Sequence, residues 1–322
     1  MDVKQRTALQ NTFRGLKNQL SLQVFALLGM IFLLIFAYIP MSGLIIAFKD
    51  YRSVTGFAGF FTSPWTANFG LKHFIAFFKD PWFIRVLRNT LGISVIKLLF
   101  SFPAPIVFAL ALNELRYNKF KRIVQTISYL PHFISWVVVY GLVFTFLNTQ
   151  NGLVNRLLSD LHLVTEPVNF LANPDAYWAM AVITDIWKEL GWWSIIFLAA
   201  ITGIDPALYD AAKIDGAGRL QCMWHITLPG IRGTIVVLLV LALGGLFSGG
   251  MGGSNFEQTF LMGNSVNYQK SMVIGYYAYQ TGILNQRYSF ATAVGLFQSV
   301  ISVALVVISN RAAKKATGEG IY

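Results

Sequence analysis

Residues 205–229 read DPALYDAAKIDGAGRLQCMWHITLP, and the rest of the chain is arranged around them. The stretch holds both a helix start and a helix stop between two apolar runs. Asp205 suits an N-cap, where its carboxylate accepts from a backbone N–H that has no partner inside the helix. Pro206 suits the first helical position, because its missing N–H would be unpaired there anyway. Leu208, Ala211 and Ala212 then recur at i, i+3, i+4 on one face. Gly216 is placed to end the helix in a left-handed conformation, and Gly218 follows. A second short segment, 219–228, runs into Pro229. The spacing predicts a compact helix–turn–helix with a small-residue face that lets another backbone approach closely.

The flanking runs set the class. Of 322 residues, 55% are hydrophobic and 12% charged, and mean hydropathy is +0.57. Soluble globular chains carry about 25% charged residues. Apolar runs of about 20 residues recur, each long enough to cross roughly 30 Å of hydrocarbon. The alternating pattern of a barrel strand does not appear. The expected fold is therefore an all-α membrane protein of six transmembrane helices. They are expected at about 22–48, 86–112, 124–147, 177–202, 230–247 and 288–310, leaving an N-terminal segment 1–21 and a tail 316–322.

The net charge of +11 sits mainly in loops. Positive-inside sorting and attraction to anionic lipid headgroups account for it without nucleic acid. Lys4, Arg6, Arg14 and Lys17 at the start, NELRYNKFKR at 113–122, and Arg311, Lys314 and Lys315 near the end place both termini and the 205–229 loop in the cytoplasm. Basic residues between Lys49 and Arg85, in a loop this topology puts outside, run against that rule. One cysteine, Cys222, excludes an intrachain disulfide and a cysteine metal cluster. The four histidines show no metal-ligand spacing. No glycine is followed by lysine, so there is no P-loop. This chain alone is expected to bind no metal or cofactor and to hydrolyse no ATP.

Within the spans, a few residues stand out. Pro103 and Pro105 remove backbone donors from the second, as a packing kink or as a flexible point. His132, near the inner end of the third, reads as a hydrogen-bonded packing residue rather than a proton carrier. The fourth carries TDIWKELGWW, with Asp185, Lys188 and Glu189. A charge at the bilayer centre costs at least ~2.5–3.5 kcal/mol. Asp185 and Lys188 stand at i, i+3 and can pair, while Asp185 and Glu189 at i, i+4 share one side. A helix-locking ion pair and a polar wall facing a water-filled path, with Trp187, Trp192 and Trp193 as stacking surfaces, both remain open. Six glycines from 244 to 253 favour unwound backbone, which at membrane depth must line a cavity or lie within protein.

DAAKIDGAGRLQCMWHITLPG, residues 210–230, resembles the EAA loop of permease subunits of ATP-binding-cassette importers. Ala211, Ala212, Gly216, Ile226, Leu228 and Pro229 match that pattern, and Asp210 stands where the family usually has Glu. SYLPHFISWVVV (128–139), SNFEQTFLM (254–262) and YSFATAVGLFQSVISVALVVISNRAAKK (288–315) resemble the maltose- and multiple-sugar-type branch. The style is that of the subgroup handling polysaccharide fragments such as alginate or pectin.

The resemblance implies a type I importer permease fold over 22–315, with a coupling helix in the cytoplasmic loop. Leu208, Asp210, Ala211, Ala212, Asp215, Gly216, Ala217 and Pro229 would couple it to a separate ATPase. It implies a second, related permease (usually a different chain), an ATPase dimer that holds ATP and Mg, and an extracytoplasmic solute-binding protein, in a bacterial inner membrane. The cargo would be an oligosaccharide. The expected path residues are Trp136, Tyr140, Asp185, Trp187, Glu189, Asn255, Glu257 and Gln298, with contact to the binding protein as the other reading of Glu257. A proton- or sodium-driven transporter using Asp185 and Glu189 is the rival expectation, although no inverted repeat is visible. A membrane-embedded enzyme would need a nucleophile–base pair or metal cluster, and none is legible.

Overall fold

The computed structural model describes residues 19–321. Residues 1–18 of the expected N-terminal segment, and Tyr322 of the tail, lie outside them. The described chain is helical, with no named strand among the described residues. Its described residues form two units that divide after His73.

In the first unit the apolar run is one span-length helix, Leu20–Phe48. It begins with α1 (Leu20–Leu33), widens to a π turn over Leu34–Tyr38 and tightens to a 3-10 turn over Ser42–Phe48. Pro40 explains the widening. It has no N–H to donate, and its ring crowds the carbonyl one turn back. Beyond the helix, buried Lys49 donates to Phe60 O (3.0 Å) and Phe61 O (2.7 Å). Lys72 bonds Asp50 at 2.8 Å. Part of the basic charge that ran against the positive-inside rule is thus held in local structure.

The second unit is built from α2 (Phe83–Phe100), α3 (Pro103–Asn113), α4 (Asn118–Tyr129), α5 (Trp136–Leu147), α6 (Leu153–Asp160), α7 (Pro174–Thr202), α8 (Pro206–Ile214), α9 (Arg219–Cys222), α10 (Arg232–Gly244), α11 (Asn255–Met262), α12 (Tyr268–Ser271), α13 (Ile274–Tyr279) and α14 (Tyr288–Thr317). Among the described residues, three helices are long and apolar enough to cross a membrane, Leu20–Phe48, Phe83–Asn113 and Tyr288–Thr317; three bent pairs pass the same test jointly, giving six if each pair is one span.

Two of those pairs meet in the 205–229 loop. α7 turns into α8 with a 70° bend, and Arg219–Gly230 turns into α10 with a 60° bend. The third pair corrects an expectation. The third span is not one helix over 124–147: Asn118–Phe133 meets Trp136–Leu147 at 102°. Pro131 tightens the first arm into a 3-10 turn, Ile134 and Ser135 are extended, and Ser135 restarts the helix by capping Val138 N.

α7 is the central element. Its first half contributes Tyr177, Met180 and Ala181 to one buried cluster, with Phe77, Ile274 and Phe290. Its second half contributes Phe197, Leu198 and Ile201 to another, with Phe102, Leu110 and Ile231. It packs against α2, α3, α4, α10 and α12. At Gly191 a side chain would collide with the carbonyl of Ser128, so glycine is what lets α7 and α4 touch backbone to backbone.

Candidate functional site

Two regions carry chemistry. The first is the 205–229 loop, whose caps form as its residues dictate. Asp205 accepts from Ala207 N at 2.9 Å, and Pro206 opens α8. At the other end Gly216 has φ +78°. Ala217 N donates to Ala212 O (2.8 Å) and Gly216 N to Lys213 O (3.1 Å), the paired bonds of a Schellman stop. Gln221 reaches back to Gly218 N at 2.7 Å to start α9. Tyr209 OH and Thr227 Oγ1 stand 3.0 Å apart and tie the two arms together.

Leu208, Asp210, Ala211, Asp215 and Gly216 are all exposed on this knuckle. Ala212 and Ala217 are half-buried, so the small-residue face is split between an outer and an inner side. Asp210 is held by Lys213 of its own helix at 2.9 Å. Pro229 lies in the short turn Leu228–Gly230, just before the bend into α10. Ile214 (87% exposed), Leu220 and Trp224 add apolar surface that the motif alone does not predict. A group of exposed apolar side chains on a rigid turn suits docking to another protein.

The second region is a buried polar hub. Lys97 on α2 donates to Ser254 Oγ (2.6 Å), Asn255 Oδ1 (2.9 Å) and Gln258 Oε1 (2.8 Å), and its Nζ lies 3.3 Å from Asp185 Oδ1. Ser254 donates to Asp185 as well, at 2.5 Å. Asn255 Nδ2 reaches Ser94 Oγ (2.8 Å), and Gln258 Nε2 reaches Ala181 O (2.8 Å) and Thr184 Oγ1 (3.1 Å). Helices α2, α7 and α11 are thereby joined by one network. The Asp185–Lys188 pair that the i, i+3 spacing allows does not form. A buried carboxylate takes the cation that its own oxygens can reach with the most bonds satisfied, and that is Lys97 from another helix.

One turn further along α7, Glu189 bonds His132 Nδ1 at 2.9 Å and lies 3.5 Å from Lys188. Lys188 donates to His132 O at 2.5 Å and stands 5.8 Å from the Trp136 ring centre. The His132 ring stacks on Trp192 at 4.3 Å, nearly parallel. His132 is thus both hydrogen-bonded and stacked.

The glycine stretch closes the hub. Gly249, Gly250 and Gly253 have positive φ, and a Cβ at Gly252 would stand 3.1 Å from Asp185 Oδ1 and 3.3 Å from Glu189 Cγ. Asp185 and Glu189 do share one side of α7, facing unwound backbone. A cavity of about 20 Å³, room for about one water, lies among Lys97, Ser101, Asp185, Glu189, Trp193 and Gly249–Gly252.

Of the expected path residues, Asp185, Glu189 and Asn255 come together here, and Trp136 joins through Lys188. Tyr140 packs instead against the first apolar cluster. Trp187 is 45% exposed, Glu257 is exposed, and Gln298 is half-buried on α14. Sequence reading missed Ser94, Thr184, Ser254 and Gln258. Their spacing held a signal: Ser254, Asn255 and Gln258 fall at i, i+1, i+4, one polar edge on a short helix.

Residues 101–316 match the family described as binding-protein-dependent transport system inner membrane component. The chain is 44% identical over 308 residues to Protein LplB of Bacillus subtilis (strain 168), covering 96% of this chain and 93% of that protein. It is 45% identical over 294 residues to the polygalacturonan/rhamnogalacturonan transport system permease protein YteP of the same organism, covering 91% and 88%. A solved structure of a bacterial ABC transporter involved in the import of the acidic polysaccharide alginate contains a similar chain, with TM-score 0.84 at 40% identity, covering 95% of this chain and 99% of that one. A bacterial alginate ABC transporter in complex with an alginate pentasaccharide-bound periplasmic protein gives TM-score 0.84 at 39% identity, covering 96% and 99%.

Proposed function

The chain belongs to the family of binding-protein-dependent transport system inner membrane components, and from that premise we propose that it is the permease subunit of an ATP-driven oligosaccharide importer. An extracytoplasmic solute-binding protein delivers the sugar. A second, homologous permease completes the path, and a separate ATPase dimer binds ATP and Mg. The protein sits in a bacterial inner membrane with both termini in the cytoplasm. Residues 22–315 form the transmembrane permease domain, and the 205–229 loop faces the ATPase. An acidic polysaccharide fragment is the favoured cargo, since YteP and the alginate transporter are named for such polymers.

The observation that carries the reading is the exposed, doubly capped knuckle. α8 is stopped at both ends by its own residues, cross-tied by Tyr209 and Thr227, and continued through Pro229 into α10. It is rigid enough to pass a displacement to a span and bare enough to seat in a cleft. Ion-driven transport through Asp185 and Glu189 gains no support from the geometry, because each carboxylate is already ion-paired.

The test is Ala211→Trp. Ala211 is exposed in mid-helix, so a large side chain there leaves the fold intact and obstructs only a docking partner. Uptake should be abolished while the protein stays in the membrane. Unimpaired uptake would refute the coupling role.

A further inference from the structure

The end of α14 closes on the first turn of α10. Gly318, with φ +76° and its N–H bonded to Lys314 O at 3.0 Å, stops the helix. The chain then doubles back, and Ile321 N donates to Asn310 Oδ1 at 2.7 Å; Asn310 is buried. Across from it, Arg232 Nη2 donates to Thr317 O at 2.7 Å, and the same guanidinium lies 3.6 Å from Glu319 Oε1. Gly233 admits the carboxylate: a Cβ there would stand 2.7 Å from Glu319 Oε2. At Gly244 a side chain would collide with Val306 of α14. Gly233 and Gly244 are about three helical turns apart. They therefore lie on one side of α10, with Gly244 against α14 and Gly233 against the tail that follows it.

At these two points α10 has no side chain to interlock with its neighbour, so the register there is left to the contacts of the tail. α10 is also the first long helix after the knuckle. Resting on the coupling role of the 205–229 loop, we propose that residues 317–321, with Arg232 and Asn310, form a strap that makes α10 and α14 move as one body when the loop is displaced. Arg232, Glu319 and Asn310 are then positioning residues. The Arg232 and Glu319 side chains are 54% and 38% exposed, and an ion pair so wet adds little stability. Its effect is on register, so breaking it should alter the yield of transport without altering the amount of assembled protein.

The experiment uses the complete transporter in liposomes, with the oligosaccharide recovered on its own binding protein as the probe. Sugar uptake and ATP hydrolysis are measured together. Arg232→Glu and Glu319→Arg should each lower the sugar imported per ATP by about two- to fivefold, with assembly and ATP hydrolysis unchanged. The double swap, which rebuilds the ion pair but not the bond to Thr317 O, should restore the ratio in part. Single variants that keep the wild-type ratio overturn the strap. So does release of the ATPase from a chain ending at Thr317, because the tail would then be a docking element. The premise is tested separately: if Ala211→Trp abolishes uptake while Arg232→Glu keeps the ratio, the strap alone fails, and if Ala211→Trp transports normally, the coupling reading fails with it.

Discussion

Replacing Lys97 with methionine keeps the length of the side chain and removes its charge from the hub. Nζ makes three hydrogen bonds, at 2.6, 2.9 and 2.8 Å, and an ion contact at 3.3 Å to Asp185. The lost hydrogen bonds are the smaller part of the effect. Between helices in a membrane each is worth about 0.6 kcal/mol on average, so three amount to roughly 2 kcal/mol. The larger part is Asp185, left as a buried anion with Ser254 as its remaining donor. Removing one partner of a buried pair costs about 3–5 kcal/mol. Removing both is far milder, because no uncompensated charge remains. Lys97→Met and Asp185→Leu should therefore each destabilise by about 3–5 kcal/mol, and the double variant by at least about 2 kcal/mol less than their sum. Reversible unfolding in mixed micelles, titrated with dodecyl sulfate and followed by tryptophan fluorescence, measures all four corners of the cycle. Strictly additive losses would show that the two charges do not depend on each other, and the account of the hub would be wrong.

Other sites make sharper local tests. Gly191→Leu should separate α7 from α4 at Ser128 and abolish uptake, since the obstacle is a backbone carbonyl that cannot rotate away; transport assays with membrane-expression controls check this. Asp205→Ala removes the cap on Ala207 N and should destabilise α8 by about 1 kcal/mol, seen as faster amide exchange confined to 206–214. Gly252→Val should push Asp185 and Glu189 away from the glycine stretch and reduce uptake more than Gly252→Ala does; equal effects would argue that the stretch is only a linker.

The knuckle was legible because every device in it is local. Asp205, Pro206 and Gly216 act within one turn of themselves, and residues 205–229 hold the start, the stop and the exit of the motif. The fourth span was legible for the opposite reason: charges so costly in hydrocarbon announce themselves wherever they stand. What they bond to was not legible. Lys97 and Asp185 are brought together by the folding of α2 against α7, and no spacing along either helix encodes that contact. Nearness in sequence made Lys188 look like the partner, yet consecutive turns of a helix compete with any neighbouring helix for the same oxygens. The bend at Ile134 failed in the same way. Pro131 signalled a disturbance, but its size was set by α7, which takes the His132 carbonyl through Lys188 and the His132 ring through Glu189 and Trp192. In this chain the local rules determine where helices begin and end, and the long-range pairing of a few buried polar groups determines how they cross.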